Sequence, residues 1–400
     1  MKGNIAQRRQ RDFHVALLIE TSHEFGRDVL RGIRDYEKTL ARHWAFYLQP
    51  DGMRQDVPHM RAWPCTGVIA RGFNPGMTGQ LVKSGLPLVL LDPQTKRPGR
   101  NPALTRIPYI TTDTDAIVRM AFDHLRSCGC RSFAFVHSFD ETVWSAERGQ
   151  AFATLAAAHG FSCAVYGTRP QTETWGQDLR SLGAWLKRLP RGLGVFAAMD
   201  QRGRHVIEAC REAGLCVPDD IVVLGVDNDS LLCELCEPSL SSIAIDAHRA
   251  GFEAARTLHA RMRGEPVPPG TRIVVKPTHV SRRQSTAPGF DRDPLVAGAR
   301  RYLFDHFADR AVQIADIARH CGVSRRLLET RFAQAMGRTL LQELTGLRME
   351  HARTLLLDST ESVTAVATAS GFTDPNYFTK AFRKHHGTAP LAYRNRARAV

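Results

Sequence analysis

GFTDPNYFTKAFRKHHGTAPLAYR, residues 371–394, reads as the end of a turn, a helix and a stop. Thr373 and Asp374 are capping residues, and Pro375 falls in the first helical turn, where proline is accepted. Tyr377, Phe378 and Phe382 recur at helical spacing and predict a buried aromatic stripe. Asn376, Lys380, Arg383 and Lys384 face elsewhere, and Gly387 and Pro390 end the helix. A short helix with an apolar inner face and a cationic outer face is the shape a DNA major groove accepts. The competing reading is a basic surface helix on some other globular domain.

Two observations decide between these readings. SVTAVATAS, residues 362–370, is a small-residue helix that runs into Gly371, so the unit is helix, glycine turn, helix. A second copy lies upstream in IADIARHCGVSRRLLETRFAQAMG, residues 314–337, with a Gly322 turn, a Ser324 cap, Arg325 and Arg326 on the following helix, Phe332 and a closing Gly337. Phe332 and Phe382 both stand eight positions after their caps, Ser324 and Asp374. Two such units in tandem, with the pattern GF…YF…F…G…P…YR, resemble the DNA-binding domain of the AraC/XylS family of regulators. That resemblance implies groove-facing positions at Arg326, Glu329 and Thr330 on the first reading helix and at Pro375, Asn376 and Lys380 on the second. Arg325, Arg383 and Lys384 complete the expected DNA-binding set, with Arg383 read as a phosphate contact.

The chain has 400 residues and a net charge of +14, so two or three domains and a polyanionic partner are expected. From Pro294 onward there are 16 Lys/Arg against 9 Asp/Glu, so half of the excess sits in about a quarter of the chain. Nine scattered cysteines lack zinc-site spacing and read as reduced, packed thiols; neither metal nor cofactor is expected. The basic start MKGNIAQRRQR is not followed by a long apolar run, and no stretch reaches the roughly 20 apolar residues of a membrane helix. A soluble, cytoplasmic protein with no membrane association is expected.

Before the two readers, short apolar strands alternate with helices. Strands are predicted at Phe13–Ile19, Trp44–Leu48, Gly67–Ile69, Pro87–Leu91, Tyr109–Thr112, Arg131–Val136, Ser162–Tyr166, Gly194–Ala198 and Ile221–Val226. The alternation predicts parallel sheets with helices on both faces, in two doubly wound lobes with a break near Tyr109. GRDVLRGIRDY, YITTDTDAIVRMAFDHLRSCGCRSFAFV, ERGQAF and VPDDIVVLGVDNDSLLCELCEPSLSSIAIDAHRAGFEAA occur in the order found in the sensor core of the LacI/GalR regulators. The stretch therefore resembles that core, itself similar to periplasmic sugar-binding proteins. The expected fold is an α/β two-lobed periplasmic-binding-protein-like sensor followed by an all-α domain with two helix-turn-helix units. The expected division is a basic tail over 1–12, the sensor over 13–283, a linker over 284–293 and the AraC-type domain over 294–400.

Ligands of open parallel sheets sit beyond the carboxyl ends of strands. Glu20 and Ser22, Asp113, Asp200 and Asp227 all follow predicted strands. A sugar needs carboxylates to accept its hydroxyl protons, an arginine to donate, and an aromatic face. Arg148 and either Trp144 or Trp175 could supply the last two, and the GR pair at 26–27 adds Arg27 by partial resemblance. By resemblance, Asp227 and Arg148 match residues that hold sugar hydroxyls, and Asp113 matches a contact from the first lobe. For Glu20, Ser22 and Asp200, capping, loop or core roles are the competing readings.

No nucleophile elbow, Walker motif or GxGxxG is present, and no two carboxylates are fixed at a separation that glycoside hydrolysis needs, so no enzyme is expected. The resemblances together imply a sugar-responsive transcription regulator, an activator with a pentose such as D-xylose as effector. Its expected partners are double-stranded operator DNA, the sugar, a second copy in a homodimer, and RNA polymerase. The alternatives are the same architecture answering another sugar or a sugar phosphate, or a sugar-processing or DNA-repair enzyme with an accessory reader.

Overall fold

The computed structural model describes residues 13–41, 43–49, 65–71, 75–93, 106–139, 142–167, 174–287 and 293–399. The basic tail over 1–12 and positions 288–292 of the expected linker lie outside the described residues. In chain order the sensor part begins β1 (His14–Leu18), α1 (Glu24–Glu37), β2 (Ala45–Gln49), β3 (Gly67–Arg71), α2 (Pro75–Lys83), β4 (Leu88–Leu91) and β5 (Tyr109–Thr112). It continues α3 (Thr114–Ser127), β6 (Ser132–Val136), α4 (Val143–Ala158), β7 (Cys163–Tyr166), α5 (Trp175–Leu186), β8 (Leu193–Ala197), α6 (Asp200–Glu212) and β9 (Ile221–Val226). It ends α7 (Ser230–Glu234), β10 (Ser241–Ile245), α8 (Ala247–Met262), β11 (Arg272–Val275), β12 (Pro277–Ser281) and a 3-10 turn, Gln284–Thr286.

The chain divides into two compact units. The first takes its described residues from Met1–Val118, Ser138–Ala151 and Ala244–Thr278, and the second from Arg119–His137, Phe152–Ile243 and His279–Val400. Each unit holds a six-stranded sheet, ordered β11-β5-β4-β3-β1-β2 in the first and β12-β10-β9-β8-β6-β7 in the second. All five strand pairs of the first sheet are parallel, and the second is parallel from β10 through β7. The order reverses at β1 in one sheet and at β6 in the other. At such a switch point two crossovers leave in opposite directions and open a space beyond the strand ends.

The division differs from the expected break near Tyr109. β5 still belongs to the first sheet, and that unit also recruits β11 and α8 from more than 130 positions later. The reason lies in glycine. A Cβ on Gly32 of α1 would stand 1.9 Å from the His248 carbonyl oxygen, and one on Gly251 of α8 would stand 1.9 Å from that of Val29. The two helix backbones touch, with Ala247, Ala250, Ala254 and Ala255 buried on α8. Such a long-range pairing leaves no trace in local periodicity.

The second unit continues into seven helices: α9 (Pro294–His306), α10 (Ile314–His320), α11 (Arg325–Met336), α12 (Leu340–Asp358), α13 (Val363–Ala369), α14 (Pro375–His386) and α15 (Pro390–Ala399). They build two small cores. Leu328, Phe332, Leu340 and Leu344 anchor one, and Met349, Ala352, Phe378 and Phe382 the other. Helix α12 serves both, its first half in one core and its second half in the other. At 19 residues it is roughly 28 Å long.

The close approach of α1 and α8 gives a first prediction. Gly251→Ala forces two backbones apart and should cost about 1–3 kcal/mol, as overpacking does. Gly79→Ala, in α2 with nothing within 4 Å of the added methyl, should instead gain about 0.5–1 kcal/mol. Urea midpoints of the two variants should move in opposite directions; equal shifts would contradict the packing described.

Candidate functional site

In the first unit, three residues at the carboxyl ends of neighbouring strands come together. Glu20 follows β1, Arg71 ends β3 and Asp92 follows β4, and all three are buried. The Arg71 guanidinium donates to Glu20, lies 3.5 Å from Asp92 Oδ2, and sits 4.4 Å over the Phe25 ring. Burial raises the Asp92 carboxyl above its ordinary value, while the charges of Arg71 and Arg148 oppose that rise. Arg148, on α4, is buried and lies 5.0 Å over the Trp144 ring. The expected pair Trp144 and Arg148 thus joins Glu20 by way of Arg71 and Asp92, two residues the sequence reading missed. The signal was available: each is the first polar residue at or just after the end of a buried strand, in GVIAR and LVLLD, much as the rule that selected Glu20 and Asp113.

The remaining expected residues of this unit have local partners. Asp113 Oδ1 accepts from the Ala116 N–H at 3.0 Å and so opens α3. Arg27 is held at the start of α1 by Glu24, at 2.7 Å, and by the Thr21 carbonyl, at 3.0 Å. Ser22 is exposed in the bend before α1.

In the second unit, Asp200 is the first residue of α6 and only 2% exposed. It accepts from the Asp229 N–H at 2.8 Å and from the Ser242 hydroxyl at 2.5 Å. Burial, and then the neighbouring charge of Asp227, push its carboxyl well above the usual range. Asp200 therefore holds the loop that carries Asp227. That loop is strained: Asp227 has φ 105° and Asn228 φ 52°. Non-glycine residues adopt such angles only where surroundings enforce them, at about 1–3 kcal/mol each. The Asp227 N–H donates to the Ile243 carbonyl at 2.9 Å, and the Asn228 N–H to the Ser242 hydroxyl at 3.0 Å.

The helical part presents two similar helix-turn-helix units. Gly322, at φ 66°, makes the first turn and Gly371, at φ 82°, the second. Ser324 accepts from the Leu327 N–H and Asp374 from the Asn376 N–H, capping α11 and α14 as expected. The second turn is one residue longer, with Phe372 buried where the first has Val323. Arg348, on α12, donates to the carbonyls of Phe307 and Asp309 at 2.7 and 2.8 Å, beside Gly371, and so ties the two units together.

On the outer faces, Arg325, Arg326, Thr330, Asn376, Lys380, Arg383 and Lys384 are exposed, and Glu329 and Pro375 are half-buried. Arg325 and Glu329 form an ion pair at 2.9 Å, which removes net charge from the first face. The outer face of α14 carries Lys380, Arg383 and Lys384 with no acidic residue in the helix. One expectation needs correction. Tyr377 is not part of the buried stripe: it is 59% exposed, because Phe378 and Phe382, four apart, already fill the inner face and turn position 377 outward beside Asn376 and Lys380. Among the described residues, Glu350, His385 and His386 bring one carboxylate and two imidazoles within 4.8 Å. Arg353 already pairs with Glu350 at 2.9 Å, so the group is a packing contact between α12 and α14.

The buried cluster yields a stability prediction. Arg71→Met leaves the Glu20 and Asp92 carboxylates buried without their cation and should cost about 3–5 kcal/mol at neutral pH. Asp92 already ionises less readily than usual, so acidification neutralises it early. The loss should therefore shrink as pH falls from 7 towards 4, measured by urea unfolding of both proteins at each pH. A loss independent of pH would contradict the charge account.

Comparison with known proteins bears on both halves. The XylR N-terminal domain model matches residues 14–115, a periplasmic binding protein-like domain matches 122–286, and a helix-turn-helix domain matches 317–396. The xylose operon regulatory protein of Escherichia coli K12 is 30% identical over 385 residues, covering 95% of this chain and 96% of that protein. Its counterpart in Haemophilus influenzae is 29% identical over 385 residues, covering 96% and 98%. A solved structure of the xylose-binding transcription activator XylR covers 96% of this chain and 98% of its own, at 29% identity and a TM-score of 0.65. A complex of the regulator CelR with cellobiose, 23% identical with a TM-score of 0.55 over 69% of this chain and 85% of that one, shares the sensor fold. These relatives are transcription regulators, not enzymes. With two doubly wound sheets leading into two tandem helix-turn-helix units, the chain belongs to the xylose operon regulatory protein family and is a DNA-binding transcription regulator with a periplasmic-binding-protein-like sensor.

Proposed function

We propose that this regulator activates genes of pentose use, with D-xylose as its effector. The observation that carries this reading is the identity of 30% over nearly the whole chain to xylose operon regulators, combined with buried carboxylates and arginines at the strand ends of the sensor. A neutral sugar fits such a lining better than a sugar phosphate. Arg71 lies between two carboxylates and Arg148 beside one of them, so the cluster has no surplus positive charge to balance a phosphate. Glu20, Trp144, Arg148 and Asp227 are the direct contacts in this reading, with Arg71 and Asp92 as added members. Ser22, Arg27 and Asp113 border the site, and Asp200 supports Asp227.

The division of labour puts the sensor in 13–283 and the reader in 294–400. Two protomers form the active species and present their readers to operator DNA, where the activator meets RNA polymerase. Sugar acts by population shift, binding more tightly to the arrangement in which the readers fit the operator. Arg326, Glu329 and Thr330 face one major groove, and Pro375, Asn376 and Lys380 the next. Arg325, Arg383 and Lys384 supply phosphate-side charge. Tyr377, exposed between Asn376 and Lys380, adds an aromatic edge to that face.

Two experiments test these assignments. Asp227→Ala should weaken D-xylose binding about ten- to hundredfold, the value of a charged hydrogen bond, without unfolding the chain. Calorimetric titration measures it, and an unchanged affinity would remove Asp227 from the site. Asn376→Ala should relax operator preference at one base pair, worth about 1–3 kcal/mol. Arg383→Ala should weaken binding to every sequence and flatten its salt dependence. Uniform loss in both variants, read by anisotropy on a panel of single-base operator variants, would overturn the base contact at Asn376.

A further inference from the structure

We propose that Arg283 is a positioning residue that couples the loop at Asp227–Asn228 to the segment leading into the DNA reader. The inference rests on the sugar-sensing role of that loop. One end of the Arg283 fork reaches the loop, where Nη2 donates to Asn228 Oδ1 at 3.0 Å. The other, Nη1, donates to the Leu240 carbonyl at 3.0 Å. Its backbone is locked to β10, since the Arg283 N–H donates to the Ser241 hydroxyl at 2.7 Å and that hydroxyl donates to the Arg283 carbonyl at 3.0 Å. A guanidinium suits this place because its planar fork serves two acceptors at fixed angles.

The residues after Arg283 form a stiff strap. The Ser285 hydroxyl donates to the Val223 carbonyl at 2.6 Å, and the Ser285 N–H to that of Ser239 at 2.8 Å. The Thr286 hydroxyl meets Ser241 at 2.7 Å and His124 at 3.0 Å, and Ala287 is buried. The expected linker over 284–293 thus begins as a fixed part of the second lobe. Asp293 caps α9 and pairs with Arg331 of α11 at 2.8 Å, so the start of the reader is tied to its first reading helix. One further contact joins the same lobe to the reader: Arg301 of α9 pairs with Asp219. The charge of Arg282, the neighbour of Arg283, joins those of Arg353 and His386 in holding the Glu350 carboxyl of α12 below its ordinary value. Arg282 and Arg283 therefore relate to the reader and to the loop respectively. Two successive residues of the loop, Asp227 and Asn228, have positive φ, a backbone that depends on its partners, so a change of partner at Asn228 bears directly on the loop's conformation. When the loop moves, Arg283 loses or gains its acceptor, and the strap and its reader contacts shift with it.

The test uses the full chain and D-xylose as probe. Operator affinity is measured by anisotropy with and without sugar, and sugar affinity by calorimetry without DNA. The ratio of the two operator constants is the coupling factor. Arg283→Leu should bring that factor to within twofold of one, with sugar-free operator affinity and DNA-free sugar affinity each within threefold of wild type. Arg283→Lys, which keeps one donor, should retain part of the coupling. Asn228→Ala should lose coupling to the same degree, and the double variant should be no worse than either single one. A purely structural role would lower stability or sugar affinity and leave the ratio intact. Retained coupling in Arg283→Leu, or multiplied losses in the double variant, overturns the proposal. A sugar-free arm separates this inference from the effector assignment. Amide exchange at Ser285 and Thr286 should rise at least fivefold in Asn228→Ala, and unchanged exchange overturns the coupling whatever the effector proves to be. A wild-type chain that does not answer D-xylose, with exchange rising as expected, counts against the effector and supports the link.

Discussion

Central strands of both sheets are buried on both faces, so the charged groups described in the sensor gather where strands end. Along β4 and β9 every residue is buried and apolar apart from Gly225. A charge placed within such a strand would be left without a partner, at a cost no single hydrogen bond offsets. At the carboxyl ends the chain turns, backbone groups are freed, and side chains from several strands converge. Glu20, Arg71 and Asp92 meet in this way in the first unit; in the second, Asp200 after β8 meets the Asp229 N–H after β9 and the Ser242 hydroxyl of β10. Two buried polar clusters, each sitting on an apolar sheet, follow from the parallel arrangement itself. They need internal partners to exist at all, which is why Arg71 faces two carboxylates and Asp200 accepts from the Asp229 N–H and the Ser242 hydroxyl.

The reader obeys a different constraint. Each helix-turn-helix unit is too small to bury much alone, so the two share α12 and are joined by Arg348 across the turn at Gly371. Ser324 and Asp374 fix where the reading helices begin, and Phe332 and Phe382, both fully buried, fix which face looks outward. The outward faces are unequal. The Arg325–Glu329 pair leaves Arg326 as the unpaired charge of the assigned first-face residues, while α14 carries three cations and no acid along its outer side.

Much of this was legible from local pattern. The strands from β1 to β9 emerge within a few positions of their observed ends, because short apolar runs bounded by turns have few alternatives. The two tandem readers were fixed by glycine, cap and phenylalanine spacing. What escaped was long-range. The return of β11 and α8 to the first sheet depends on Gly32 and Gly251 meeting across more than 200 positions, and the sensor's chain beyond Asp227 was assigned only through family resemblance. Tyr377 was placed inside because helical spacing alone cannot say which of two adjacent aromatics takes the inner face; packing of Phe378 against Phe372, 5.2 Å away, decides it. Arg71 and Asp92 obeyed the strand-end rule that found Glu20, yet only the structure reveals that they share one cluster. Asp200 also obeys the rule, and in the fold its carboxylate accepts from the Asp229 N–H and the Ser242 hydroxyl.

A regulator whose sensor and reader share one free energy must show that sharing in both directions. The factor by which sugar tightens operator binding and the factor by which operator DNA tightens sugar binding are thermodynamically equal. Calorimetric titration of D-xylose into the protein, alone and saturated with operator DNA, measures the second directly, and anisotropy measures the first. The account predicts two equal factors, each above about fivefold. A sugar affinity that operator DNA leaves unchanged would contradict it, because the sensor and the reader would then be independent domains on one chain.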